Sequence, residues 1–419
     1  MSSGSKTDVL VVGAGPTGLL VALQLAQAGL AVEVVEEEWR PAGHSYALAL
    51  HPRSLALLDQ LGLASELVGQ GRKLDVATVY EGPRLQARLS FAELRTPFPF
   101  LLALPQSALE AQLARRLAER GVKVRWSHRL AGIERDGDGV VARVQKLEKQ
   151  SAGYAVAHTE WAVDKEVPFR ASFVVGADGH HSLVRRALGL SFDEVAPSQA
   201  FAVVECDGRP SDEMRLVLDE RTVSAFWPLP GSRSRWSLEL EAPGVDSEDR
   251  FKSRLTTSVG ERHFPHLDDA RLRELVRERA TWFEPDLRDL GWSIEVRFER
   301  RLAGAFGRDR IWLAGDAAHL TGPAGMQSMN AGLDEASDLA ARIVRVLRGG
   351  EAHDLLEAYG RERLAAWRFL LGRQGGLRPD AATAAFVAKN AARLLPCLPA
   401  TGEDLGVLAG PLGLAVDGG

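Results

Sequence analysis

Three short stretches of this chain end an apolar run in glycine with an acid close by, and these residue types at this spacing could hold a nucleotide. The first is Gly13-Ala14-Gly15-Pro16-Thr17-Gly18. Its first two glycines permit a tight turn and a close backbone approach to a pyrophosphate. The third lets helix and strand pack closely, and the helix N-terminus supplies positive potential. Glu36 falls where a carboxylate can accept from the hydroxyls of an adenosine ribose. The second stretch is Gly176-Ala177-Asp178-Gly179, and the third is Gly315-Asp316, leading through Pro323-Ala324-Gly325 toward a helix. In open α/β sheets ligands sit outside the carboxyl ends of strands, so three such ends can surround one extended cofactor.

The plainer alternatives stay open beside that reading. Asp178 and Asp316 can simply cap turns or helices, and Gln106 can be a helix-start residue. His180, His181 and His319 lack metal-ligand spacing, so no metal is expected. Cys206 and Cys397 are the two cysteines and lie far apart, which fits a reducing cytoplasm and argues against structural zinc. Trp227 and Trp236 suit a packed sheet as readily as a cofactor cage.

The elements that must position these residues follow from periodicity. Residues 8–12 and 31–35 read as strands around a helix over 19–28, with Glu36 closing the unit. A helix starts near Pro52, with Arg53 or Ser54 close to its cap and Leu55, Leu58 and Leu61 at helical spacing. Short strands are expected over 76–80 and 85–91, then a helix over 106–120 carrying Leu109, Leu113 and Leu117 on one face. A strand over 122–126 precedes a hairpin at Asp136-Gly137-Asp138-Gly139, and residues 146–169 read as a further strand pair. Residues 171–175 form a buried strand. The segments 201–205, 214–218, 223–227 and 236–240 alternate with a period near two, as in an antiparallel sheet. Helices are expected over 270–280, 330–347 and from 351 to about 371, before a Pro- and Gly-interrupted tail.

Composition sets the outer bounds. The 419 residues are 45% hydrophobic and 26% charged, a balance that supports a large core in two or three domains. A net charge of −5 without a basic block argues against a nucleic-acid partner. The start of the chain has no apolar signal region, and no stretch reaches the ~18 apolar residues of a membrane span. A cytoplasmic protein, monomer or homodimer, is the expectation.

The sequence resembles the para-hydroxybenzoate hydroxylase family, the single-component FAD monooxygenases. Residues 8–36 match its FAD fingerprint. Gly176-Ala177-Asp178-Gly179-His180-His181-Ser182-Leu183-Val184-Arg185 matches its Asp-Gly motif, and Leu313-Ala314-Gly315-Asp316-Ala317-Ala318-His319 its Gly-Asp motif. The likeness runs from about residue 7 to about residue 365. It implies an α/β fold: a Rossmann-type FAD-binding domain (1–73, 100–185 and 285–350), an inserted, mostly antiparallel substrate-binding sheet domain (74–99 and 186–284), and a C-terminal helical segment (351–419). The tail after Gly372 is too short for the thioredoxin-like domain some relatives carry, and its apolar patches are expected to pack on the body or on a second subunit.

The resemblance also assigns roles. Gly13 to Gly18, Glu36 and Glu37 would hold the adenosine diphosphate half of FAD, with Leu130 touching adenine through its backbone. Gln106 would reach the phosphate and ribitol, Asp178 the pyrophosphate and the nicotinamide approach path, and Gly315 and Asp316 the ribitol. Pro323, Gly325, Met326, Gln327, Ser328, Met329 and Asn330 would lie along the isoalloxazine, where N–H groups at a helix N-terminus can stabilise negative charge. Tyr46, Phe226, Trp227 and Pro323 are the candidate pocket contacts, and no protein side chain is needed as a catalytic group. NADH or NADPH would reduce the flavin transiently, and O₂ would add to give a C4a-hydroperoxide that hydroxylates an aromatic or polyketide-like molecule. Baeyer–Villiger insertion, epoxidation and dehydrogenation are family alternatives. So is a turnover-deficient FAD-binding pathway protein. No Trp-x-Trp-x-Ile-Pro signature of a flavin halogenase occurs. Many members have Gly at the positions of Met326 and Ser328, Arg at Tyr46 and Asp at Glu335, departures that bear on flavin motion.

Overall fold

The structure is a computed structural model, and it describes residues 5–41, 47–137, 139–152, 158–207, 211–241, 269–280 and 290–418. Strand β1 (Ser5–Val12) runs into the first glycine turn and helix α1 (Pro16–Gln27), and β2 (Val32–Val35) follows. Next come β3 (Ala49–Leu50), α2 (Pro52–Gln60), α3 (Ala64–Gln70), β4 (Arg72–Leu74), β5 (Val76–Glu81) and β6 (Arg84–Ser90). The chain returns through β7 (Leu101–Ala103) and α4 (Gln106–Glu119) to β8 (Val124–Arg125), β9 (His128–Asp136), β10 (Gly139–Ala152) and the long β11 (His158–Gly176). After α5 (Leu183–Ala187) it lays down β12 (Phe192–Asp207), β13 (Glu213–Leu218), β14 (Val223–Pro228) and β15 (Arg233–Glu239), then α6 (Asp269–Arg279) and β16 (Leu290–Ala303). Strands β17 (Gly307–Arg308), β18 (Ile311–Leu313) and β19 (His319–Leu320) precede α7 (Gln327–Gly349) and α8 (Asp354–Leu370). The tail holds β20 (Gly376–Pro379), α9 (Ala385–Leu394), α10 (Glu403–Ala409) and β21 (Leu414–Asp417).

Two large sheets position the site. In the first, β18, β11, β1, β2 and β8 run parallel, so β11, β1 and β18 deliver the three glycine-acid stretches to the same edge. The register aligns Val12 with Gly176, and Gly176 with Leu313. Strands buried on both faces read as continuous apolar runs, which is why β1 and the end of β11 were visible in the sequence. The second sheet, in order β19-β16-β12-β15-β14-β13-β5-β6, is antiparallel except for the parallel pair β13 and β5. It takes in β16 and β19, from the stretch expected in the nucleotide-binding part, because a 14-residue strand has β12 to pair with. The tail also carries a two-stranded sheet, β20 with β21, among its helices.

The second sheet separates two cores. Val203, Leu216, Ala225 and Trp227 face a large core continuous with β1, α1 and α7. Val204, Cys206, Phe226, Trp236 and Leu238 face a smaller core closed by Leu272, Leu275 and Val276 of α6. Helix α7 begins at Gln327, earlier than its apolar repeat suggests. Its N-cap is Met326 in a left-handed conformation, with no Ser, Thr, Asp or Asn to mark the start.

Candidate active site

At the first motif, Gly13 has φ +104°, and a Cβ there would lie 2.1 Å from the carbonyl oxygen of Ala177. Glycine is required because the first turn leans directly on the second motif. Gly15 is the N-cap of α1, without a side-chain cap, and a Cβ on it would meet nothing within 4 Å. The start of α1 therefore borders open space at Gly15. At the end of β2 the Glu36 carboxylate accepts from Ala14 N–H at 2.7 Å and from Glu38 N–H at 2.9 Å. Burial pushes the Glu37 carboxyl up despite Arg129, 3.7 Å away. Leu130 is buried on β9 opposite Val144. Gln106 is the first residue of α4 and donates forward to Glu110 Oε1 at 2.7 Å. Burial raises the Glu110 carboxyl, and nearby Glu36 adds to the effect.

In the second motif, Asp178 accepts from Ser182 Oγ at 2.6 Å and from the N–H groups of Leu183 and Val184 at 2.7 and 3.1 Å. Its carboxylate supports the start of α5 beside the N-cap Ser182, whose Oγ accepts from Arg185 N–H at 2.9 Å. Burial raises the proton affinity of Asp178, and the donors to its carboxylate oppose the shift. Arg185 bolts this motif to the third: Nη1 donates to Ala317 O at 2.7 Å, Nη2 to His180 O at 2.8 Å, and the guanidinium lies over Phe192.

In the third motif Asp316 is exposed and accepts from Ser328 Oγ at 2.6 Å. Behind it Glu335, buried on α7, accepts from Gly315 N–H at 2.8 Å, His319 Nε2 at 2.9 Å and Trp367 Nε1 at 2.5 Å. The His319 ring stacks on Trp367 with centroids 3.7 Å apart. Buried Pro323 and Ala324 enter the loop before α7. Met326 takes φ +53°, and its neighbours fix the loop's carbonyls. His51 Nε2–H donates to Gly325 O at 2.9 Å, and Asn330 Nδ2 donates to Met326 O at 2.8 Å and Ala49 O at 2.9 Å. Asn330 Oδ1 accepts from His51 N–H and Ser54 Oγ, both at 2.8 Å. Complete burial pulls the His51 imidazole down to about 4. The Gln327 side chain points away from this edge, donating to carbonyls of residues 395–400. Met329 is half-buried.

Among the pocket candidates, Phe226 and Trp227 are neighbours on β14 and point to opposite faces, so they cannot line one chamber. Trp227 faces the core shared with the nucleotide-binding part, while Phe226 packs under α6 against Trp236, centroids 4.9 Å apart. The Trp227 indole N–H is buried without a partner among the described residues. Tyr46, Asp138 of the expected turn and the hairpin tip at 153–157 lie outside the described residues. Among the described residues no group of three or more His, Cys, Asp and Glu could hold a metal ion.

Helix N-termini without side-chain caps at α1 and α7, a half-buried carboxylate at Glu36 and open space beside Gly15 fit an elongated, anionic dinucleotide. The family model described as FAD binding domain matches residues 6–372. The chain belongs to this family, the para-hydroxybenzoate hydroxylase-like FAD-binding proteins. Within it, the chain is 32% identical over 363 residues to a 6-methylpretetramide 4-monooxygenase of Streptomyces rimosus, covering 85% of this chain and 59% of that protein. It is 30% identical over 360 residues to a rifampicin monooxygenase of Streptomyces venezuelae, covering 85% and 68%. The chain thus spans less than two thirds of the first relative's length. The fold matches a p-nitrophenol 4-monooxygenase of Pseudomonas putida with a TM-score of 0.73, at 24% identity and 97% coverage of both chains. It matches an anhydrotetracycline hydroxylase of Streptomyces rimosus with a TM-score of 0.62, at 28% identity and 85% and 66% coverage.

For an FAD-binding protein the residues missed in the sequence are supporting ones. His51 and Ser54 meet Asn330 across more than 270 residues, and nothing local announces that contact. Glu335 stands out in the sequence as a departure from the Asp that many family members carry, and it also shares a helix face with Ala331 and Leu339, where a carboxylate breaks an apolar stripe.

Proposed function

We propose that this chain is an FAD-dependent monooxygenase, driven by NADH or NADPH, that hydroxylates an electron-rich aromatic or polyketide-like small molecule. The observation that carries this reading is the convergence of three strand ends, held together by Arg185 and by the Gly13–Ala177 contact, beside two uncapped helix N-termini. Bound and reduced, FAD would supply the oxygen-transferring chemistry at its C4a position. Glu36 would exchange its backbone donors for ribose hydroxyls, and the α1 N-terminus would face the pyrophosphate. Asp316 would reach the ribitol with Ser328 orienting it, and the first turn of α7 would stabilise negative charge on the ring. The inner face of the second sheet, backed by the packed Trp227 and Phe201, would support the wall of the substrate chamber and exclude water.

The test is direct. Purified protein should carry or take up FAD, bleach on anaerobic addition of NADH or NADPH, and insert one atom of ¹⁸O₂ into product. A colourless protein that refuses FAD removes the whole reading. Label-free product excludes hydroxylation, epoxidation and Baeyer–Villiger insertion together. The alternative of a turnover-deficient FAD binder is favoured by Ser328 being tied to Asp316 and Met326 being buried where flavin mobility matters. Persistent yellow colour with both nicotinamides across many ligands would support it.

A further inference from the structure

The C-terminal tail meets the loop before α7 in a way no sequence motif marks. Gln327 is fully buried, and its Nε2 donates to the carbonyls of Leu395 at 2.9 Å, Leu398 at 3.1 Å and Ala400 at 3.4 Å. One amide NH₂ has two hydrogens, so these acceptors share them. Two residues earlier, a Cβ on Gly325 would lie 2.6 Å from Pro396 O and 2.8 Å from Leu398 O. Gly325 is not among the positive-φ residues, so closeness to the tail, not backbone conformation, excludes a side chain there. Leu395, Cys397, Leu398 and Ala400 are all buried. The other end of this segment is tied to the substrate sheet. Arg393 Nη1 donates to Asp219 O at 2.8 Å, in the turn between β13 and β14. The loop is therefore clasped from two sides, by His51 and Asn330 on one and by the tail on the other.

We propose that Gln327 is a positioning residue: its amide fastens residues 395–400 across the loop at 323–326, so that the tail holds the shape of the loop beside the flavin ring. The last clause rests on the FAD reading above; the fastening itself does not. Leaving a buried carbonyl without a donor costs free energy, so the contact resists release.

The experiment compares wild type with Gln327→Ala, Gly325→Ala and Arg393→Ala, each as apoprotein and with added FAD. Hydrogen exchange is read at the Leu398 and Ala400 amides, which donate to Leu394 O and Leu398 O. Both loop variants are expected to speed exchange there about tenfold or more, and to raise the FAD dissociation constant and alter the visible flavin spectrum. Arg393→Ala loosens the same amides from the sheet side with the loop sequence intact and sets the scale of exchange for a tail released at its other anchor, while the two loop variants stand in for one another should one fail to fold. Unchanged exchange in Gln327→Ala, or in Gly325→Ala where Gln327→Ala is not recovered folded, overturns the fastening. Faster exchange with unchanged FAD affinity and spectrum overturns the tail's role in shaping the loop. If wild type refuses FAD, the cofactor reading and that role fall together, while exchange in the apoprotein still decides the fastening.

Discussion

His51 shows how one buried side chain sets a pH limit. Its folded pKa is near 4, against an ordinary value near 6.5, because burial disfavours the imidazolium. The unfolded chain takes up a proton below about pH 6.5 and the folded one does not. Stability is therefore intact above that pH and falls as pH drops toward 4, by about 3 kcal/mol in total. His51→Gln keeps a donor for Gly325 O and removes the titration, so urea midpoints measured from pH 7.5 to 4.5 should fall less steeply. Met326 poses the opposite question. Its left-handed backbone costs about 1–2 kcal/mol, which Gly would relieve, but its side chain is buried, and removing such a side chain costs about 2–5 kcal/mol. Burial wins, and Met326→Gly should lower stability by about 1–3 kcal/mol in thermal or urea melts.

Among the elements, α7 has the largest role in fixing the site. Glu335 on its buried face receives three donors from Gly315, His319 and Trp367. Glu335→Ala strands those donors, and a loss of about 3–5 kcal/mol is expected from melts, together with a shift in tryptophan emission. At the opposite end of the site, Gly13→Ala would force a Cβ onto the Ala177 carbonyl and should abolish FAD uptake even where folded protein is recovered. What was legible in the sequence follows from locality. Strand β1, its glycine turn, α1 and β2 form one contiguous unit whose pattern announces itself, and α4 was bounded to within a residue by Gln106 and Gly121. The start of α7 was not, because its cap is a backbone conformation at Met326 with no side-chain signature. The opposite orientations of Phe226 and Trp227 follow from strand period alone. The choice of inward face needed the partner strands, since both faces are buried.

For the whole molecule, the larger core runs without a break from β1 through the inner face of the second sheet into α8 and the tail, whereas α6 closes a separate, smaller one. Native-state hydrogen exchange should therefore find α6 opening at lower free energy than α7, with the nucleotide-binding strands among the last to open. No helix among the described residues is long and apolar enough to cross a membrane. Trp367 sits on α8, well past the last glycine motif, yet its indole nitrogen reaches the carboxylate that receives Gly315 N–H, and Tyr359 of the same helix donates to Leu313 O. A protein engineer trimming this chain to a minimal flavin carrier would be tempted to stop at Gly350, where the motifs have run out. Such a cut would strip two hydrogen bonds from beneath the Gly-Asp turn and bare its aromatic underside, and because Gln327 is satisfied by residues 395–400, a workable fragment has to keep α8 and the tail segment that follows it.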